Sequence, residues 1–155
     1  MRKVVLIPML ITFLSFDIKA DEIDASLDDL WDRTIGFVLD AGGLPEFRDK
    51  ELGLIKTDAF PMKLDKEAAN CGRMFGIPYI IDKRTKTTVS YRVRFKTIDE
   101  NKTDVSVDVD VEGYFFKYET DWAFFVEKIR DANKVLGCKS TGKLEERFLA
   151  FLRGD

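Results

Sequence analysis

The 155-residue chain contains no histidine, two cysteines, four prolines and, apart from its first twenty residues, no extended apolar run. Each scarcity excludes something. Without histidine, the side chain that most often serves as general base and as neutral metal ligand is missing. With no Cys-x-x-Cys and no glycine-rich phosphate loop, dithiol redox and P-loop chemistry lack their motifs. No proline-rich or low-complexity linker divides the chain, so a single domain is expected. No cluster of residues with metal-ligand spacing occurs, and no cofactor is expected. An enzyme is therefore not expected.

The first twenty residues stand apart. Arg2-Lys3 is a short basic region, Val4 to Leu14 an eleven-residue apolar run, and Ala20 a small residue suited to a cut. This is the pattern of a secretory signal peptide spanning residues 1–20, with one domain over 21–155. Eleven apolar residues are too few to span about 30 Å of hydrocarbon, so no transmembrane span is expected after cleavage. No cysteine near the cut invites a lipid. Loss of Arg2, Lys3 and Lys19 against Asp17 leaves 22 basic and 27 acidic residues and moves the formal charge from −3 to −5. An acidic exported domain does not suit nucleic acid or an anionic surface as an electrostatic partner. In an oxidising compartment Cys71 and Cys138 have one intramolecular pairing open to them, a structural disulfide. A periplasmic or secreted location follows, with outer-membrane association an extension of it.

The strongest pattern lies in residues 89–115. Val89, Tyr91, Val93, Phe95 and Thr97 alternate with Ser90, Arg92, Arg94 and Lys96. Val105, Val107, Val109 and Val111 then alternate with acidic and small polar residues. Period two with β-branched and aromatic residues predicts a long hairpin with one buried face. With Asp99-Glu100-Asn101 as a three-residue loop and Asn101 left-handed, paired numbers sum to 200. Phe95 then faces Val105, and Arg92 faces Asp108. Asp104, Asp108 and Asp110 lie opposite Arg92, Arg94 and Lys96, which reads as a surface ion-pair ladder and not a cation site.

Ser26 predicts a helix N-cap, with Leu27, Leu30, Trp31, Ile35 and Val38 on one stripe up to Ala41 and Gly42-Gly43 stopping it. Trp31 reads as a core anchor. Leu44 to Arg48 and Leu52 to Thr57 read as a short hairpin that Phe60-Pro61 ends. Met62 to Asn70 reads as a loop or helix fragment, Tyr79-Ile80-Ile81 as a sheet edge and Asp82 to Lys86 as a turn. Ser140 or Thr141 is expected to cap a terminal helix carrying Leu144, Phe148, Phe151 and Leu152 on one face.

Between these lies an aromatic concentration: Tyr114, Phe115, Phe116, Tyr118, Trp122, Phe124 and Phe125. Trp122, Phe125, Val126 and Ile129 have helical spacing, while residues 113–118 are strand-like, so 121–132 is open between helix and strand. More aromatics occur here than one strand face hides. They serve either a second core layer or an apolar surface that meets a partner, with Tyr114, Phe116, Tyr118, Trp122 and Phe125 as its candidates.

Trp31 in the first helix followed by Glu51-Leu52-Gly53-Leu54-Ile55-Lys56-Thr57 resembles the helix-then-GLI-x-T pattern of bacterial envelope domains such as those of the outer-membrane assembly lipoprotein BamC. Cys71-Gly72 and Cys138-Lys139-Ser140-Thr141-Gly142-Lys143-Leu144-Glu145 resemble elements of small envelope proteins of the same kind. The resemblance implies an α+β fold of helix-grip type, an antiparallel sheet with N- and C-terminal helices packed on one face. It also implies a non-enzymatic interaction module whose partner is another envelope protein. The alternative is a carrier of a small apolar ligand, using a cavity that such sheets can enclose.

Overall fold

The computed structural model describes residues 19–121 and 126–155. Its elements are β1 (Lys19–Ile23), α1 (Leu27–Asp40), β2 (Pro45–Asp49), β3 (Leu54–Thr57), β4 (Phe60–Pro61), β5 (Ala69–Asn70), β6 (Arg73–Met74) and β7 (Ile77–Pro78). These are followed by a 3₁₀ turn (Tyr79–Ile81), β8 (Thr85–Asp99), β9 (Lys102–Asp121), β10 (Val126–Gly137), β11 (Lys139–Ser140) and α2 (Lys143–Arg153). Among the described residues seven strands form one antiparallel sheet, ordered β1-β9-β8-β3-β2, with β10 also on β9 and β4 on β8. The class is α+β. No helix among the described residues is long and apolar enough to cross a membrane.

The hairpin of β8 and β9 has the expected register: Phe95 faces Val105, Val93 faces Val107, Tyr91 faces Val109 and Arg92 faces Asp108. Its odd-numbered residues from Thr87 to Phe95 and from Thr103 to Phe115 are buried, with Val89, Val93, Val105 and Val107 fully so. Thr97, expected on the same face, is exposed near the tip. Across the outer face Arg92 reaches Asp108 at 3.1 Å and Asp110 at 3.9 Å. The tip differs from expectation. Asp99 pairs with Lys102 after a register shift, leaving Glu100-Asn101 as a two-residue turn. Asn101 is not left-handed; the non-glycine residue with positive φ among those described is Phe75. The Asp99 carboxylate accepts the Asn101 N–H at 2.9 Å and holds the turn without that conformation.

Helix α1 is capped as its sequence requires, the Asp29 N–H donating to Ser26 Oγ at 3.3 Å. Both helices place aromatic side chains on the buried face of the sheet. Phe37 of α1 meets Tyr91 at 5.8 Å and Phe148 of α2 at 5.0 Å, while Trp31 meets Phe95 at 5.9 Å. The core thus lies between one sheet face and two helices.

Several expectations are corrected. Phe60-Pro61 does not merely end a hairpin: Phe60 pairs with Val89, is buried and stacks on Tyr91 at 6.1 Å. Tyr79–Ile81 is a 3₁₀ turn and not a sheet edge, which turns Ile80 inward. Within 121–132, which the sequence leaves open between helix and strand, the residues from Val126 onward are strand, as ladder pairing to β9 decides against their weak helical spacing. Helix α2 is capped by Gly142, not by Ser140 or Thr141. Both hydroxyls are used elsewhere, Ser140 donating to Glu145 at 2.7 Å and Thr141 to the Ala68 carbonyl at 3.1 Å. Finally, β1 precedes the first predicted element. It pairs with β9 from Lys19 opposite Val107 to Ile23 opposite Thr103, so it begins two residues before the expected cut.

Candidate interaction surface

The aromatic stretch begins where β8 starts. Thr85 faces Phe115, and from Phe116 onward β9 has passed beyond β8. The strand continues in company with β10 alone: Tyr118 pairs with Ile129 and Asp121 with Val126. The six residues from Phe116 to Asp121 carry this two-stranded ribbon about 20 Å past the sheet. Register shifts interrupt its ladder on either side of Ala132, near its root. Among the described residues no further strand pairs with either of its edges. Residues 122–125, Trp-Ala-Phe-Phe, join the two strands.

At the root, alternation separates the aromatics. Phe115 is buried, while Tyr114 and Phe116 are half-buried. Tyr79 packs edge-on against Phe115 at 5.2 Å. Cations cover these rings: Arg84 lies 4.7 Å from the centre of Phe115, Lys86 5.1 Å from Phe116 and Lys134 5.0 Å from Tyr79. Each such contact contributes about 0.5–1 kcal/mol at an exposed site. The Arg84 guanidinium also grips Asp82 at 2.7 and 2.9 Å. That hydrogen bonding holds the Asp82 carboxyl below its ordinary range. On the outer side Tyr114 donates its hydroxyl to Glu112 at 2.6 Å, and this bond to a carboxylate raises the phenol above its ordinary value.

The disulfide pins this root. Cys71 is bonded to Cys138, as the cysteine count predicts. Gly113 of β9 lies beneath it: a Cβ there would stand 2.7 Å from the Cys138 sulfur, so only glycine lets the bridge cross the strand. The loops it joins are paired again by β5 with β11.

Of the candidate surface residues, Tyr114 and Phe116 come together at the root and Tyr118 follows at the next even-numbered position of β9. Trp122 and Phe125 lie outside the described residues. Sequence reasoning missed a neighbouring apolar group, the exposed Phe75, Ile77 and Ile81. The available signal was Phe75-Gly76 between two short runs, a two-residue hairpin turn.

Elsewhere, an open pocket of about 450 Å³ lies between β1 and α2, lined by Lys19, Ala20, Asp21, Glu146, Leu149 and Arg153. Its charges are paired, Lys19 with Glu146 and Arg153 with Asp21. Among the described residues no group of three or more potential ligands is placed to hold a metal ion. Comparisons with protein-family models, curated proteins and solved structures return no match to this chain.

Proposed function

We propose that this chain is a non-catalytic protein of the bacterial envelope, exported to the periplasm, that binds another envelope protein through the β9–β10 ribbon. The observation that carries this reading is the ribbon itself: two strands extend past the sheet with both edges lacking a partner strand among the described residues, and an aromatic Trp-Ala-Phe-Phe segment joins them. Open strand edges are costly to leave exposed and accept an added strand readily. The disulfide supports an oxidising location. Two helices on one face of an antiparallel sheet are in keeping with a helix-grip fold of the BamC type, and with a role in outer-membrane or envelope assembly. A carrier function would need open space between helices and sheet. That zone is occupied by Trp31, Phe37 and Phe148 against Tyr91 and Phe95, which favours the interaction reading.

The test is site-specific photocrosslinking in intact envelopes, with a photoreactive residue in place of Tyr118 or, as control, of Leu52 on the opposite hairpin. A discrete adduct with one envelope protein from position 118, absent from position 52 and abolished when Trp122, Phe124 and Phe125 become serine, supports the proposal. Equal adducts from both positions, or none, overturn it.

A further inference from the structure

We infer that the Phe75 turn is a membrane-surface anchor, an aromatic tip that enters the headgroup region of an anionic bilayer. The inference is independent of the ribbon. Phe75 sits at the apex of the small hairpin in which Arg73 pairs with Pro78 and Met74 with Ile77. It is 99 % exposed and takes a φ of 50°, followed by Gly76 at 83°. A two-residue turn with both φ values positive suits Asn-Gly or Gly-Gly, and a bulky aromatic there is strained. Stability disfavours phenylalanine at this site, and so does water. A strained and fully exposed aromatic points to a contact outside the chain.

The tip is held firmly. Tyr79 donates its N–H to the Gly72 carbonyl at 3.0 Å, Gly72 donates to Asn70 Oδ1 at 3.0 Å, and Cys71 is tied to Cys138. These ties anchor the base of the turn that presents Phe75. In the residues that follow, Ile80 is buried, while Ile77 and Ile81 are exposed.

Charge identifies that contact. Residues 73–86 carry Arg73, Lys83, Arg84 and Lys86 against Asp82, a net +3 within a chain of net −3. An exposed aromatic apex flanked in sequence by a basic stretch matches an anionic bilayer, with hydrocarbon below a plane of negative headgroups. The acidic remainder of the chain would be repelled by that plane, which leaves this end to face it.

The test is co-sedimentation of the full oxidised chain with phosphatidylglycerol–phosphatidylcholine vesicles, against vesicles of phosphatidylcholine alone. The wild type should bind the anionic vesicles, and added salt should release it. Phe75→Gly should weaken binding about tenfold, and Arg73→Glu about fivefold or more. Phe75→Gly also relieves the backbone, so its Tm should equal or exceed that of the wild type, which separates lost binding from lost folding. No binding by the wild type, equal binding by Phe75→Gly, or equal binding to neutral vesicles overturns the inference. Phe75-dependent self-association without vesicles would assign the tip to a second copy and overturn it too.

Discussion

Gly53 and Phe95 touch backbone to backbone. The Phe95 N–H donates to the Gly53 carbonyl at 2.8 Å, and a Cβ built on Gly53 would fall 2.2 Å from the Phe95 carbonyl oxygen. Gly53 also has a φ of 61°. Nothing flexible can yield there, because the obstacle is main chain of the central strand. Gly53→Ala should therefore cost about 3 kcal/mol in urea unfolding. Gly42→Ala, at a φ of 83° with no atom within 4 Å, should cost only about 1 kcal/mol.

The Cys71–Cys138 bridge joins residues 67 apart in sequence. Constraint of so long a loop contributes about 2–4 kcal/mol. Reduction, or replacement of both cysteines by serine, should lower the denaturation midpoint by that equivalent and leave the far-ultraviolet spectrum unchanged. Alkylation of non-reduced protein from cells should label neither thiol.

Tyr91 lies at the meeting point of both helices and the sheet, 2 % exposed. Burial, reinforced by the charge of Glu145, pushes its phenol from 10.0 up to about 12. A raised folded value gives stability that is fully present below the unfolded value and lost as pH climbs through the folded one. Between pH 10 and 12 this group should cost about 2–3 kcal/mol. Tyr91→Phe should remove that part of the alkaline loss, read as a flatter plot of unfolding midpoint against pH.

Glu146 behaves oppositely. Hydrogen bonds from Lys19 and then Lys143 hold its carboxyl near 2, against an ordinary 4.5. Its contribution is present above the unfolded value and lost as pH falls through the folded one, between about 4.5 and 2. The group is exposed, so salt should damp the effect. Glu146→Gln should flatten the acid limb at low salt. A chain starting at Asp21 lacks Lys19 and should show an intermediate slope.

The hairpin of β8 and β9 was legible because the odd positions from Val89 to Phe95 and from Val105 to Val111 argued for the same face, and opposed charges argued for the same register. Ser26 and the stripe through Leu30 and Val38 likewise gave α1 its start and its buried side. Failures came where tertiary demands outranked local pattern. In sequence, residues 121–132 are open between helix and strand, and ladder pairing to β9 decides for strand from Val126 onward. Ser140 and Thr141 look like caps, yet their hydroxyls serve Glu145 and Ala68, and Gly142 starts the helix. Nothing in Lys19–Ile23 announces a strand, since its residues lie against the expected leader and its partner is about eighty positions away. Of the candidate surface, the aromatic excess was legible from composition. The free-standing ribbon was not, because it depends on where β8 begins. Phe75 escaped notice because a phenylalanine in a short apolar run ordinarily belongs inside.

Strand β9 borders three strands: β8 on one side, β1 and β10 in succession on the other. Two of them are close to it in sequence: β8 across a two-residue turn and β10 across residues 122–125. Both hairpins can therefore form early at little entropic cost, whereas β1 must return from ahead of α1. Until β1 arrives, the stretch of β9 from Thr103 to Val107 stands with one side bare. The interval between hairpin closure and the arrival of β1 is when this chain is most exposed to pairing with the wrong neighbour.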